Sequence, residues 1–179
     1  MQCPRWKQQT KMKSNMKKEM YESIFQHIKA TRYGKQLVAL LGMAITGVTA
    51  MLYFGVGIYL LWQGRYIQTV PLVLVPAISF VAVSILRKGI NAKRPYEMYD
   101  FTPLIPKDKK GQSFPSRHVF SIFVIAMSIS WYCKIIAVVI GIMGIVLAAL
   151  RVVTGVHFPK DVLAGMILGI LCGSLVGLF

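Results

Sequence analysis

Acidic side chains are what this sequence has least of: six Asp and Glu stand against twenty-one Lys and Arg in 179 residues, a formal net charge of +15. The shortage argues against a site built on paired metal ions, which needs several carboxylates. Beyond the N-terminal segment only Glu97, Asp100, Asp108 and Asp161 are available, so neither a metal nor another cofactor is expected. Cysteine is nearly as sparse. Cys3, Cys133 and Cys172 lie far apart and suggest neither a disulfide framework nor a zinc site. There is no internal repeat and no low-complexity segment. Long stretches also lack charge of either sign, and these determine the class of protein.

With 55% hydrophobic residues and a mean hydropathy of +0.57, the apolar residues fall into blocks rather than into the period of a soluble amphipathic fold. Leu37 to Trp62, Thr69 to Leu86, Ile135 to Leu150 and Val162 to Phe179 each approach the ~20 residues that cross a hydrocarbon core. A shorter run, Val119 to Trp131, spans only if its helix begins near Ser116, which puts Pro115 near the first turn, where proline is tolerated. The expected fold is an all-α bundle of about five transmembrane helices in residues 36–179, preceded by a basic segment over residues 1–35. The first span starts too late and runs too long for a cleaved signal peptide and is expected to be retained. In the basic segment Met16, Met20, Ile24 and Ile28 recur at steps of four among Lys17, Lys18, Lys29 and Arg32, which predicts an amphipathic helix on anionic lipid. Nucleic acid is not expected as a partner, because the cations are split between this arm and membrane-edge loops without interleaved aromatics.

Three polar clusters interrupt the apolar blocks. Arg87, Lys88, Lys93 and Arg94 follow the second span; Ser116, Arg117 and His118 stand at the mouth of the third; Arg151, His157, Lys160 and Asp161 separate the last two. The third span carries the chain across after His118 and the fourth brings it back, so all three clusters share one membrane face. Ionisable residues at membrane depth are expensive and mark a functional site by default. His157 precedes Pro159, a favoured first helical residue, and Asp161 falls in the first turn, placed to accept the imidazole N–H and fix its tautomer. That leaves the other ring nitrogen as a nucleophile. Arg151 reaches the same place across a tight turn at Gly155, with a planar fork of donors suited to phosphate. Ser116 and the backbone N–H groups behind it form an anion site at a helix start. His118 has no acidic neighbour in sequence, which suits proton donation to a leaving group. Together these residues imply phosphoryl transfer from an anionic ester.

The segments RKGINAKRP, PSRH and LRVVTGVHFPKD resemble the signature of the type 2 phosphatidic acid phosphatase superfamily: lysine, six residues, Arg-Pro; Pro-Ser-Gly-His; and Ser-Arg, five residues, His, three residues, Asp. The resemblance runs from Arg87 to about Gly165. It implies a helical bundle with a site at the membrane surface, His157 as the nucleophile that forms a phosphohistidine, Asp161 as its orienting partner and His118 as the acid. Arg87, Arg94, Ser116 and Arg151 become the phosphate pocket, with Lys88 and Arg117 beside it. Three positions depart from the pattern. Arg87 stands for the lysine and keeps its charge, Arg117 puts a bulky side chain where the family has glycine, and Leu150 removes a hydroxyl. Family members often have six spans; five are read here.

The implied substrate is a lipid phosphate or pyrophosphate such as undecaprenyl pyrophosphate, phosphatidylglycerol phosphate or phosphatidic acid, among which the residues do not choose. Two rival readings are a non-catalytic lipid-phosphate binder or transporter, which would need the cations but not His157, and a lipid phosphotransferase. Five spans put the N-terminus on the active face, whose basic residues far outnumber the Arg65 and Lys134 of the other, so the positive-inside rule favours a cytoplasmic site. Relatives acting on undecaprenyl pyrophosphate usually face outward. The sequence carries no signal of oligomeric state.

Overall fold

The computed structural model describes residues 5–105 and 110–179, so Cys3 and Asp108 lie outside the described residues. The chain folds into α1 (Arg5–Ala30), α2 (Gly34–Trp62), α3 (Tyr66–Ile90), a single turn α4 (Pro95–Met98), α5 (Arg117–Ser130), α6 (Lys134–Val153) and α7 (Pro159–Ser174), with a closing 3₁₀ turn over Leu175–Leu178. Among the described residues four helical stretches have the length and apolar composition of a membrane span, and α5 is a shorter apolar helix. The outer faces are apolar, with Ile58, Ile135 and Ile145 each more than half exposed, as expected where lipid rather than water is the surrounding solvent.

The short helix is the centre of the bundle. α5 packs most extensively against α7 and α6 and also touches α3 and α2, and Val119, Phe120, Ile122, Val124 and Ile129 are buried along it. At 1.5 Å per residue its fourteen residues rise about 21 Å, against about 30 Å for the twenty of α6. The two helices are joined by a tight turn at their far end, where Tyr132 and Cys133 donate backbone hydrogen bonds to Ile129. The start of α5 therefore falls short of the end of α6, and the residues there are held inside the rim. α5 begins at Arg117 with Ser116 as its N-cap, next to the expected start, and Pro115 lies just ahead of the first turn.

Gly165, Gly169 and Gly173 recur at steps of four on α7 and let its backbone approach α5. A Cβ on Gly169 would lie 2.7 Å from the Phe120 carbonyl oxygen and 2.9 Å from the Val124 nitrogen, and one on Gly165 would lie 2.6 Å from the Ser116 oxygen. Small residues that allow such approach are the usual basis of helix pairing in membranes, where water supplies no hydrophobic drive. Gly169→Ala is expected to cost about 1–3 kcal/mol through overpacking against backbone that has no rotamer to yield. Gly141→Ala on α6, where a Cβ meets nothing within 4 Å, is expected to be neutral. Thermal unfolding of both variants in detergent checks this; equal melting temperatures would show that the α5–α7 contact does not limit stability.

In α3, Pro76 has no N–H for the Leu72 carbonyl, and the Tyr53 hydroxyl from α2 donates to that oxygen at 2.9 Å. The basic segment forms the helix α1, and it docks on the rest of the protein through its aromatic residues. Tyr21 and Phe25 are buried against Phe101 and Leu104, Ile24 and Ile28 pack at the margin of that cluster, and Met16 and Met20 are exposed. Ring contacts hold this docking: Tyr21 lies 4.8 Å from Phe101, centroid to centroid, and Phe25 meets the same ring edge-on at 5.7 Å.

Candidate active site

The three polar clusters meet where α5 and α7 begin, and backbone bonds stitch them together. Ser116 N–H donates to the Asp161 carbonyl at 2.8 Å, joining the two helix starts, and Ser113 N–H donates to the Ala92 carbonyl at 2.8 Å, joining the loop on either side of α4. Gly111, in the left-handed region at φ +68°, donates its N–H to Glu97 Oε1 at 2.7 Å. A Cβ there would lie 2.2 Å from the Asn91 side-chain oxygen, so both conformation and space require glycine.

The arginines divide into a structural and an open set. Arg87 is buried at the end of α3 and donates from its two terminal nitrogens to the carbonyls of Pro115 and Gln112. It thereby shapes the backbone that presents Ser116. Arg94 is also buried and donates Nε to the Gly111 carbonyl at 2.9 Å, while its Nη1 has no hydrogen-bond partner among the described residues. The Nε of Arg151 and the Oγ of Ser116 are buried and unpartnered in the same way, and Ser116 does not use its hydroxyl to cap α5. Arg94 is close enough to Arg87, Arg151 and His157 for its charge to act on all three. Lys88 is exposed, and Arg117 is half-buried with its guanidinium over the Phe80 ring at 5.4 Å.

His157 sits in the turn between α6 and α7 at 2% exposure. The turn is closed by His157 N–H donating to the Arg151 carbonyl at 3.1 Å. Gly155, at φ +71°, gives it room: a Cβ there would meet the Phe101 ring at 2.7 Å and Phe25 at 3.0 Å. The α1 aromatics, which the sequence pattern does not connect with this region, thus back the His157 turn. Asp161 lies in the first turn of α7, fully buried, and its Oδ2 accepts from Phe158 N–H at 3.1 Å. That oxygen stands 3.7 Å from His157 Nδ1, beyond a direct hydrogen bond. Between them lies Ser113, whose hydroxyl donates to Asp161 Oδ2 at 2.5 Å and is 3.5 Å from His157 Nδ1. Ser113 was not among the expected site residues. Its only sequence signal is a small polar residue three positions before Ser116.

Burial, chiefly, pushes the His157 imidazole down to about 4, with the charges of Arg94 and Arg87 adding to the effect and the Asp161 carboxylate opposing it. The ring is therefore neutral at physiological pH. With Nδ1 turned to Ser113 and Asp161, Nε2 is the nitrogen left to react. His118, half-buried, lines a cavity of about 250 Å³ with Arg117 and Ser121, and a second of about 490 Å³ with Arg151, Met43 and Leu147. Among the described residues no three His, Cys, Asp or Glu side chains gather as a metal site.

The chain is similar to known membrane proteins over most of its length. Bacitracin transport permease protein BcrC of Bacillus licheniformis is 30% identical over 138 residues, covering 70% of this chain and 64% of that protein. Lipid A 1-phosphatase of Rhizobium etli is 28% identical over 117 residues, covering 63% of this chain and 48% of that one. The chain thus spans between about half and two thirds of the length of these curated relatives. Among solved structures, LpxE of Aquifex aeolicus superposes with a TM-score of 0.64 at 27% identity, over 88% of this chain and 94% of that one. The transmembrane PAP2 type phosphatidylglycerolphosphate phosphatase from Bacillus subtilis gives 0.68 at 22% identity, over 91% and 85%, a likeness of fold. The family pattern itself matches residues 68–178, which hold α5, α6, α7 and all three polar clusters, and this multi-pass membrane chain belongs to the PAP2 superfamily.

Proposed function

We propose that the protein is a lipid phosphatase that removes phosphate from a lipid phosphate or pyrophosphate through a phosphohistidine on His157. The observation that carries this reading is the set of three buried donors with no partner among the described residues, Arg94 Nη1, Arg151 Nε and Ser116 Oγ. Buried donors of this kind are costly unless a ligand satisfies them, and a tetrahedral oxyanion matches two guanidinium edges and a hydroxyl. His157 Nε2 attacks phosphorus while the bond to the lipid oxygen breaks, and His118 supplies the proton that this oxygen takes up. Water, deprotonated by His118, then opens the phosphorus–nitrogen bond, releasing inorganic phosphate and restoring both histidines. No cofactor enters the scheme. Preorganised donors around developing charge supply most of the acceleration.

The larger cavity beside His118 and Arg151 favours a lipid over a soluble ester. It is walled by apolar residues of α2 and α6, among them Val38, Met43, Ala50 and Leu147, which suit a hydrocarbon chain. The relatives called lipid A 1-phosphatase and phosphatidylglycerolphosphate phosphatase agree with that class. A second reading, lipid-phosphate transport without hydrolysis, draws on the relative named a permease. Phosphate release by the detergent-purified protein from a panel of lipid phosphates and pyrophosphates, with EDTA present, separates them. Release in chelator supports the metal-free hydrolase, and binding without release supports the transporter.

The depressed His157 also sets a pH dependence. The free enzyme keeps its nucleophile unprotonated until the pH falls towards about 4, so the acid limb of kcat/KM, which reports the free enzyme, is expected well below the ordinary histidine value of about 6.5. A profile corrected for the ionisation of the ester itself checks this. A limb at the ordinary value would mean that the ring is not desolvated in the working enzyme.

A further inference from the structure

We infer that Ser113 is a positioning residue for the nucleophile, joining His157 to Asp161 through its hydroxyl and holding the imidazole in the Nδ1–H tautomer; the catalytic consequence rests on the hydrolase reading above. Three distances carry the inference. Asp161 Oδ2 is 3.7 Å from His157 Nδ1, whereas the Ser113 hydroxyl is 2.5 Å from Oδ2 and 3.5 Å from Nδ1. An ionised carboxylate only accepts, so the single hydroxyl proton must point to Asp161, and the lone pairs of Ser113 Oγ are left to face the ring. Only an imidazole with its proton on Nδ1 complements them. The order is then Nδ1–H, Ser113 oxygen, Ser113 proton, Asp161 Oδ2. Nε2 keeps its lone pair on the side of the arginines.

The setting of Ser113 suits a fixed relay. Its exposure is 0%, its own N–H is tied to the Ala92 carbonyl at 2.8 Å, and the neighbouring carbonyls of Gln112 and Pro115 are held by Arg87. The serine therefore has no freedom to turn towards water. The long Nδ1 contact of the ligand-free state has room to shorten when Nε2 takes on phosphorus and Nδ1–H becomes more acidic, as catalytic hydrogen bonds commonly do on substrate binding.

The test uses the full chain in detergent micelles, labelled with ¹⁵N-histidine. In the wild type the His157 resonances are expected to show a single Nδ1–H tautomer; in Ser113→Ala they are expected to show a mixture, with the His27 and His118 signals unmoved as evidence of folding. In parallel, Ser113→Ala is expected to lower kcat on a lipid phosphate about 10- to 100-fold, the loss typical of a partner that orients a functional histidine, with KM changed much less. Combined with Asp161→Asn, it is expected to add little beyond Asp161→Asn alone, since the two act as one unit. A wild-type ring carrying its proton on Nε2 overturns the inference without any variant. So does a Ser113→Ala protein that keeps the single tautomer, whatever its rate. A wild type that hydrolyses no lipid phosphate defeats the hydrolase reading instead, and leaves the tautomer measurement to decide the role of Ser113.

Discussion

His157→Ala is expected to release no phosphate from either an alkyl lipid phosphate or p-nitrophenyl phosphate, while His118→Ala fails on the lipid and retains much of its activity on the activated ester. The two histidines differ in surroundings as the proposed roles require. His157 is buried, neutral and oriented by Ser113 and Asp161; His118 is half-buried at the wall between two cavities, one of them apolar enough for a departing lipid. Losing a general acid costs about 10²- to 10⁴-fold, but an acidic leaving group needs no proton. No leaving group compensates for a missing nucleophile. The measurement is the ratio of the two activities in each variant, on an ester that the wild type turns over. Rescue of His157→Ala, rather than His118→Ala, by the activated ester would invert the assignment.

The second large effect concerns the proposed phosphate pocket. Arg94→Ala and Arg151→Ala are each expected to lower kcat/KM by about 2–4 kcal/mol, the scale of removing a donor to developing charge. Arg94→Lys should remain impaired. The guanidinium bonds the Gly111 carbonyl through Nε while presenting Nη1, and an ammonium cannot span both positions. Arg87→Ala should behave differently, losing thermal stability along with activity, because it frees the Pro115 and Gln112 carbonyls that shape the Ser116 loop. Lys88→Ala should matter least, since that side chain is exposed. Steady-state kinetics with a melting curve for each variant separates these outcomes. An essential Lys88 beside a dispensable Arg87 would shift the first motif by one residue.

The placement of the three polar clusters on one face was legible in the sequence because it depends only on counting crossings. Each apolar run reports which segments leave water, and a charge cluster between runs must surface on the side to which parity returns the chain. The helical class, the tight turn at Gly155 and the proximity of Asp161 to His157 are likewise local: a few residues and a positive φ suffice. The basic arm was legible as a helix for the same reason, since periodicity describes one helix at a time.

Periodicity does not say which atom of one segment reaches which atom of another. Only the tertiary structure could decide that Tyr21 and Phe25 of α1 dock on Phe101 behind the His157 turn. The same holds for Arg87, which serves backbone carbonyls while Arg94 and Arg151 keep donors open, and for Ser113, which enters between a histidine and an aspartate more than forty positions away. These choices depend on separations of an ångström or less, and the one between Ser116 and Asp161 is set by how closely α7 can lie against α5. The glycines that permit that approach carry no side chain and leave no mark in a hydropathy pattern. Composition and crossing parity determined that the chain is a helical membrane protein whose polar clusters share one side; the short central helix and the close α5–α7 contact decided which of those side chains bond the protein itself and which keep donors open.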